Sequence, residues 1–487
     1  IDFELRRLVF GIWDYIKNSG KYPEAKNYAL KRVYTRSGAR ESRRFLGDYL
    51  LTENDIEEKR DFPDAVCVGG WPMDVHAPLG IYDPGPATEF IPVTGLYNIP
   101  FRCLYSRDVE NLMLAGRNIS ATHIALGSAR VMGTCGCMGQ AVGTAAACCV
   151  RLHVTPGKLG RENIALLQER LARADQTIVG RESLTPRMKE FGASASGERT
   201  FENDKVSRRC RLERDYGLAL MLETERLDSI QIWAENDSGE DTWLEFELLE
   251  GSHRETFLPE RFVKRGRETV AADFRGWLTL AVKGNRGEDG KLYLILRKNP
   301  ALALGMAQEE LPGAVTLRLY REDACGECNH DSVPLNPACG YRYLDHRYNR
   351  RENIAFRETV PKQRVFAPEM ALNPYTRPYG LPNMWLAGGE YPATLILTAG
   401  HPVKAERLDI LFDTDLKSEP LTELPGCLVR DFDVTFRCGE KSHAEQVRDN
   451  CRRQVSFFLK GGEVDKIEIT IRRSWGGEAG IYGVNLW

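Results

Sequence analysis

Hydrophobic residues in the first third of the chain recur every three or four positions. Leu5, Leu8 and Ile12 follow this spacing, which predicts an amphipathic helix over residues 3–17. Small residues dominate residues 131–150 and predict a second, Gly/Ala-rich helix. A third amphipathic helix is predicted where apolar residues recur in the same way, at Ile164, Leu167 and Leu171.

Beyond about residue 178 the hydrophobic residues alternate with polar ones. The clearest runs are Leu244, Phe246 and Leu248; Leu292, Leu294 and Leu296; and Ile467, Ile469 and Ile471. A period of two, broken by Gly, Asp and Asn turns, is typical of antiparallel β-sandwiches. We therefore expect an α/β plus all-β protein. Its parts are a partial Rossmann-like domain (1–178), a β-sandwich (179–330), a linker or long loop (331–351) and a second β-sandwich (352–487).

Composition narrows the functional classes. The 487 residues carry a formal charge of −3, with 42% hydrophobic and 28% charged residues, as in soluble globular proteins. This balance argues against a nucleic-acid partner or a membrane-attracted surface. We find no run of about 18 apolar residues, so we expect no transmembrane helix.

The 13 cysteines are odd in number and not clustered as in a disulfide framework. Reduced thiols and a cytoplasmic location are the expectation, and no signal peptide is visible. One group, Cys325, Cys328, His330 and Cys339, is a weak zinc candidate. The alternative is a loop with unrelated cysteines. Because a single CxxC is not enough, we predict no metal site.

The stretch that carries chemistry runs from Asn111 to Ala147. It is expected to form a buried strand over 112–115, a turn at Gly116, a polar loop and a helix. One side of that helix carries only small residues, namely Gly136, Gly139, Gly143 and Ala147. Such a face permits close approach of another backbone or of a flat ligand.

This stretch resembles the closing strand, loop and helix of FAD-dependent oxidoreductases of the glutathione-reductase-like fold. More narrowly, it is similar to the bacterial FAD-dependent oxidoreductase family, whose members often carry β-sandwich tails. Three further stretches match the family pattern in order: Arg40–Thr52, Gly69–His76 and Ile99–Tyr105. Together they cover about residues 1–180. The resemblance implies that FAD is the cofactor.

The resemblance also implies roles for individual residues. FAD contacts would come from Gly116, Arg117, Asn118, Ser128, Arg130, Val131 and Met132. His123 would be the base toward a substrate hydroxyl, since free histidine titrates near pH 6.5; the alternative is a histidine that only hydrogen-bonds its loop. Arg130 would hold substrate or flavin, or else cap a buried carboxylate. A candidate substrate wall consists of Trp71, Asp74 and His76, which are equally compatible with ordinary packing.

One element of the family pattern is absent from the sequence. Flavoproteins of this fold begin with a strand–GxGxxG–helix unit that cradles the pyrophosphate, and no such unit is found here. We therefore expect this chain to be the C-terminal part of the enzyme, or one chain of a split enzyme. A missing N-terminal half or a partner chain would complete the FAD site, and a homo-oligomer is a further alternative.

The expected reaction is hydride transfer between FAD and a hydroxylated small molecule, with carbohydrates as one candidate. The last sandwich loosely resembles galactose-binding-like jelly rolls, and Tyr375, Tyr379 and Trp385 are candidate sugar platforms. The alternative is a non-catalytic carbohydrate-binding or assembly protein.

Overall fold

The computed structural model describes all residues except 1, 37–42, 78, 92, 94, 184, 321–334, 337–340, 345–352, 416–422 and 460–461. Its N-terminal domain, residues 2–178, contains the α-helices of the described residues. They are α1 (Asp2–Asn18), α2 (Glu53–Glu57), α3 (His123–Ala129), α4 (Met132–Leu152), α5 (Pro156–Glu162) and α6 (Ile164–Arg173). Two antiparallel strand pairs accompany them: β1 (Ala65–Gly69) with β4 (Tyr97–Pro100), and β2 (Met73–His76) with β3 (Thr88–Ile91).

Helix α4 packs one face onto β1, α5 and α6. Its buried residues include Met138, Ala141 and Ala145, which recur at the helical period and join the core of this domain. The opposite face carries the predicted row of small residues and is exposed. The Gly/Ala-rich helix is thus present, and its small side faces away from the core of its own domain.

The predicted N-terminal helix is present as α1, but none of its residues is buried. Phe3, Phe10 and Ile12 are more than half exposed, so its apolar side is not covered by the described part of the chain. Helical periodicity therefore identified the element correctly, whereas the burial that such a pattern usually indicates is absent.

Two local predictions between residues 111 and 130 were wrong. Residues 112–115 do not form a strand; Met113 makes only an isolated bridge with Tyr105. The segment expected to be a polar loop contains α3, which begins after Thr122, whose hydroxyl accepts a hydrogen bond from the Ala125 N–H. His123 is accordingly the first residue of a helix rather than a loop residue.

The middle sandwich consists of two sheets around one hydrophobic core. In the described residues the first sheet has the order β11 (Arg261–Val270), β10 (Thr242–Glu250), β14 (Lys291–Leu296), β7 (Tyr216–Met221), β16 (Ala314–Tyr320), β18 (Tyr341–Leu344) and β17 (Leu335–Asn336). The second contains β12 (Arg275–Leu280), β9 (Ser229–Asn236), β15 (Leu302–Ala307) and β19 (Asn353–Ile354), with β6 (Val206–Arg211) on β15 and β20 (Phe356–Val360) on β9. A short pair joins β8 (Arg226–Leu227) and β13 (Gly284–Asn285).

The last sandwich also has two sheets and its own core. The described residues give one the order β21 (Trp385–Leu386), β28 (Gly480–Leu486), β23 (Arg407–Phe412) and β26 (Gln454–Phe458). The other has the order β25 (Lys441–Val447), β24 (Val429–Cys438), β27 (Glu463–Ser474), β22 (Ala393–Lys404) and β5 (Phe191–Ala195). The predicted alternating runs lie in β10, β14 and β27.

Strand pairing crosses the boundaries expected from the sequence. Strand β5, predicted within the first sandwich, pairs with β22 of the last one. Conversely, β19 and β20 lie beyond residue 352 but pair with β15 and β9 of the middle sandwich. Strands β17 and β18 lie within the range expected to be a linker and extend the sheet from β16.

Ten cysteines in the described part of the chain are free thiols. The described residues contain no group of three or more His, Cys, Asp or Glu side chains that could hold a metal ion. The zinc candidates Cys325, Cys328, His330 and Cys339 lie outside the described residues. None of the described helices is both long and apolar enough to cross a membrane.

Candidate functional site

The candidate site forms where α3 packs against β2. A Cβ atom at Gly127 would lie 2.8 Å from the carbonyl oxygen of Asp74 and 3.1 Å from its nitrogen. Only glycine permits this approach, because backbone atoms cannot move aside as a flexible side chain can. The contact brings the end of α3 next to Asp74 and His76 on β2.

Arg130, which caps the C-terminal end of α3, holds Asp74 in two ways. Its Nη2 donates to the Asp74 carbonyl at 2.8 Å and lies 3.5 Å from the carboxylate oxygen Oδ2. The guanidinium side chain is only 10% exposed. Arg130 and Asp74 are thus in direct contact. This geometry is compatible both with Arg130 holding a ligand beside Asp74 and with the alternative that Arg130 only caps a carboxylate.

Asp74 also contacts His76 on its own strand and Thr88 on the paired strand β3. Its Oδ2 lies 3.2 Å from His76 Nε2, and Thr88 on β3 donates its hydroxyl hydrogen to Oδ1. The carboxylate thus lies between a guanidinium and an imidazole. A carboxylate in this position fixes the orientation of the imidazole through Nε2.

Ser128 has a different surrounding from the one expected of a flavin contact. It is fully buried and donates its hydroxyl hydrogen to the Trp71 carbonyl. The Tyr97 hydroxyl lies 2.7 Å from Ser128 Oγ and donates to it, because the serine proton is already engaged. Burial raises the pKa of Tyr97, although the Ser128 hydrogen bond opposes this. The pair anchors the backbone of the Trp71 loop, while the Trp71 side chain itself is exposed.

The start of α4 is open. Its N-cap residue, Val131, offers no capping hydrogen bond from its side chain, and the next residue, Met132, is 92% exposed. A Cβ atom added at Gly133, Gly136 or Gly139 would meet no atom within 4 Å. Within the described part of the chain, no side chain caps the first N–H groups of this 21-residue helix, which carry the positive end of its dipole.

Of the other predicted residues, Gly116 lies beside this helix start. Gly116 has a φ of +95°, a conformation that favours glycine, and its added Cβ would lie 3.9 Å from the Cys135 sulfur. Arg117 and His123 are exposed, and Asn118 accepts a hydrogen bond from the Phe45 N–H through its carbonyl. His123 precedes Arg130 by two helical turns and lies on the same side of α3.

The residues present fit one end of FAD. An uncapped helix start, a left-handed glycine beside it and an open face of small residues suit a flat ring with polar edges. The sequence of residues 2–178 has no GxGxxG motif of the kind that cradles the adenosine end in flavoproteins of this fold.

Sequence reasoning missed Thr88, Tyr97 and Gly127. Thr88 and Tyr97 act through partners on other elements, so no local motif marks them. Gly127 carried a signal, since a glycine inside a short helical segment costs about 1 kcal/mol and usually has a packing reason. The sugar platform proposed at Trp385 was wrong, because its ring is fully buried and its Nε1 donates to the Gly197 carbonyl.

Comparison with known proteins gives a family match for one part of the chain. The family model of FAD dependent oxidoreductases matches residues 3–171. No curated protein matches the chain significantly.

Solved structures similar to parts of the chain include carbohydrate-binding modules. The family 32 module of EndoD from Streptococcus pneumoniae has 16% identity and a TM-score of 0.21, covering 25% of this chain and 85% of that one. The family 32 module of NanJ from Clostridium perfringens, in complex with galactose, has 15% identity and a TM-score of 0.19, covering 25% and 83%. A GH31 CBM32-2 module bound to GalNAc has 15% identity and a TM-score of 0.18, covering 20% and 66%. By the family match, residues 3–171 form an N-terminal FAD-oxidoreductase domain, which β-sandwich regions follow.

Proposed function

We propose that this chain is part of an FAD-dependent oxidoreductase that transfers hydride between FAD and a hydroxylated small molecule, of which a carbohydrate is one candidate. The observation that carries the proposal is the Arg130–Asp74–His76 cluster on α3 and β2, within the domain that matches the oxidoreductase family. FAD, when bound, supplies the hydride chemistry. Gly116, Arg117, Asn118, Val131 and Met132 would hold it.

The chain's own residues would bind the substrate and move its proton. Arg130 is held by Asp74 and would orient a substrate oxygen. His76, held at Nε2 by Asp74, would hydrogen-bond a substrate hydroxyl. Trp71, exposed on its loop, would form the wall of the site. His123 is the proposed base that removes the hydroxyl proton.

A variant pair separates these roles. In the flavin-loaded enzyme, His123→Ala should slow flavin reduction by about 100-fold while FAD stays bound, because general-base catalysis contributes about 10²–10⁴ in rate. His76→Ala should mainly raise KM, because it removes a substrate contact. Stopped-flow reduction and flavin absorbance measure both. Unchanged reduction in His123→Ala would make that residue structural.

The adenosine end of FAD requires a further cradle, and we propose that another polypeptide segment provides it. It would cover the apolar side of α1 and the small face of α4, both exposed in the described structure. Exposed apolar surfaces of this kind usually mark interaction sites. A homo-oligomer is the alternative occupant.

The proposal is tested by purifying the protein under non-denaturing conditions and recording its absorption and the intact mass of each polypeptide present. Flavin absorbance that bleaches on addition of polyols or sugars supports it. A colourless preparation that binds glycans, and gains no flavin from any co-purifying chain, would instead support the carbohydrate-binding or assembly alternative.

A further inference from the structure

A cavity of about 740 Å³ lies where the N-terminal domain and the two sandwiches meet. The N-terminal domain contributes Val68 and the outer side of α6, the middle sandwich contributes Glu255, and the last sandwich contributes Tyr379 and Trp487. Its volume is within the range of small-molecule sites. The residues assigned above to the flavin and its substrate, from Trp71 to Met132, do not line it.

We propose that this cavity binds a neutral saccharide. Tyr375 and Tyr379 lie in its wall with ring centroids 4.6 Å apart and planes tilted by 54°. Trp487 adds a third ring, which is fixed because its Nε1 donates to Asp409 Oδ2 at 2.7 Å. Rings with apolar faces and polar edges match a sugar ring, which has a C–H face and a rim of hydroxyls.

Three charged side chains that line the cavity, Asp175, Glu255 and Arg377, are paired, which argues against an anionic ligand at these positions. Arg377 donates two hydrogen bonds to Asp175 at 2.9 and 3.0 Å, and Arg453 donates a third at 2.7 Å. Glu255 is bound by Lys59 at 2.8 Å. Because these charge-assisted pairs are already made, a phosphate or carboxylate would have to displace a protein partner.

Neutral polar residues also contribute to the wall. Gln176 and Thr185 line the cavity, and within the described part of the chain their buried atoms Gln176 Oε1 and Thr185 Oγ1 have no hydrogen-bond partner. Buried polar groups are normally paired, so these two oxygens are unusual. Hydroxyl groups of a sugar both donate and accept, and therefore suit a wall of this composition.

This inference goes beyond the proposed function, because the cavity is separate from the flavin site and needs no flavin. A ligand there would touch all three structural units at once. Saccharide binding should therefore also raise the thermal unfolding midpoint, since a ligand that binds only the folded state stabilises it.

The experiment titrates the full chain, without added flavin, with methyl β-galactoside, methyl β-glucoside and inorganic phosphate by isothermal calorimetry. A methyl glycoside is expected to bind and phosphate is not. Tyr375→Ala and Tyr379→Ala should each weaken binding about tenfold, the upper range of aromatic contacts, whereas Tyr375→Phe keeps the ring and should retain most affinity. Tyr28→Ala, at an exposed tyrosine outside the cavity, is the matched control and should leave binding unchanged.

A further variant tests the site without removing an aromatic side chain, in case the alanine variants fail to fold. Ala165 is exposed on α6 and lines the cavity, so Ala165→Trp should fill it without removing a buried contact. Abolished glycoside binding in a folded Ala165→Trp protein supports the site. Binding that survives Ala165→Trp, binding of phosphate alone, or no glycoside binding to the wild type each overturns the inference. Such a failure leaves the oxidoreductase proposal standing, because no flavin is involved.

Discussion

Gly127 is the residue on which the contact between α3 and β2 depends. Replacing it by alanine would place a Cβ against the Asp74 backbone, so we expect Gly127→Ala to destabilise the protein by about 1–3 kcal/mol, as overpacking does. Urea unfolding measures this cost. In the flavin-loaded enzyme the same variant should slow flavin reduction, because Arg130 would lose its position against Asp74.

Gly136 provides the matched control for that substitution. It also lies in a helix, but an added Cβ would meet nothing within 4 Å. Gly136→Ala should therefore stabilise the isolated chain by up to about 1 kcal/mol, since alanine is the better helix former. Equal destabilisation by both substitutions would show that the Asp74 contact is not what requires glycine at position 127.

The residue types at Asp74, His76 and Arg130 led us to predict functional roles for them, but the sequence did not show that their side chains contact one another. Each polar residue type suggested chemistry on its own, yet the contact between them depends on the register of β2 and β3 and on the close approach at Gly127. Distances across separate elements are not encoded in local spacing. The FAD and base roles of His123, Gly116 and their neighbours stay predictions.

Whole elements were predictable where a hydrophobic period was long and regular. Helices α1 and α6 and strands β10, β14 and β27 follow such patterns, whereas α4 was predicted from its small residues. Helix α3 was missed because its seven residues are too few to show a period and five of them are buried. The segment 112–115 was mistaken for a strand because a short apolar run also fits a buried loop.

Strands β24 and β27 carry a prediction about pH. Burial alone would raise the pKa of Asp433 on β24, but hydrogen bonds from Arg448 and Arg472 outweigh it and hold the pKa below its ordinary value. The folded state therefore binds fewer protons than the unfolded chain. This contribution to stability is present above about pH 4 and is lost as the pH falls through the lowered pKa.

Arg472→Gln should weaken this dependence. With one donor removed, the pKa of Asp433 in the folded state moves back toward its ordinary value, so unfolding free energy should vary less between about pH 5 and pH 2. Urea unfolding across that range measures the slope. Arg452→Gln removes an exposed charge from the same sandwich and should preserve the wild-type slope. If the two slopes are the same, Asp433 does not govern acid sensitivity.

For the molecule as a whole, alternation predicted sandwiches but not which strands belong together. Strand β5 joins the last sandwich although the whole middle sandwich follows it in sequence, and β19 and β20 return to the middle sandwich. A strand's own residues show which face is buried, but its partner is set by long-range packing. The segment between α6 and β5 contacts both the N-terminal domain and the last sandwich, and so joins these two units.

Asp175 is the central contact of that junction. It lies in the N-terminal domain, and its carboxylate accepts hydrogen bonds from Arg377 and Arg453 of the last sandwich. Asp175→Asn should cost about 3 kcal/mol, because it leaves two guanidinium groups close together without their shared counter-charge. Its φ of +58° does not confound the test, since asparagine tolerates the left-handed region well.

Asp61→Asn is the comparison, because Asp61 pairs with Arg181 near the same junction but is 75% exposed. Exposed ion pairs contribute at most about 1 kcal/mol, so this variant should unfold almost as the wild type does. Combining Asp175→Asn with Arg377→Gln should cost less than the sum of the single changes, because it also relieves repulsion between the arginines. Chemical denaturation gives the free energies, and limited proteolysis reports opening of the 174–186 segment. Equal stability losses for Asp175→Asn and Asp61→Asn would mean that the hydrogen bonds of Asp175 do not hold the domains together. The pairing of β5 with β22 would then be what joins them.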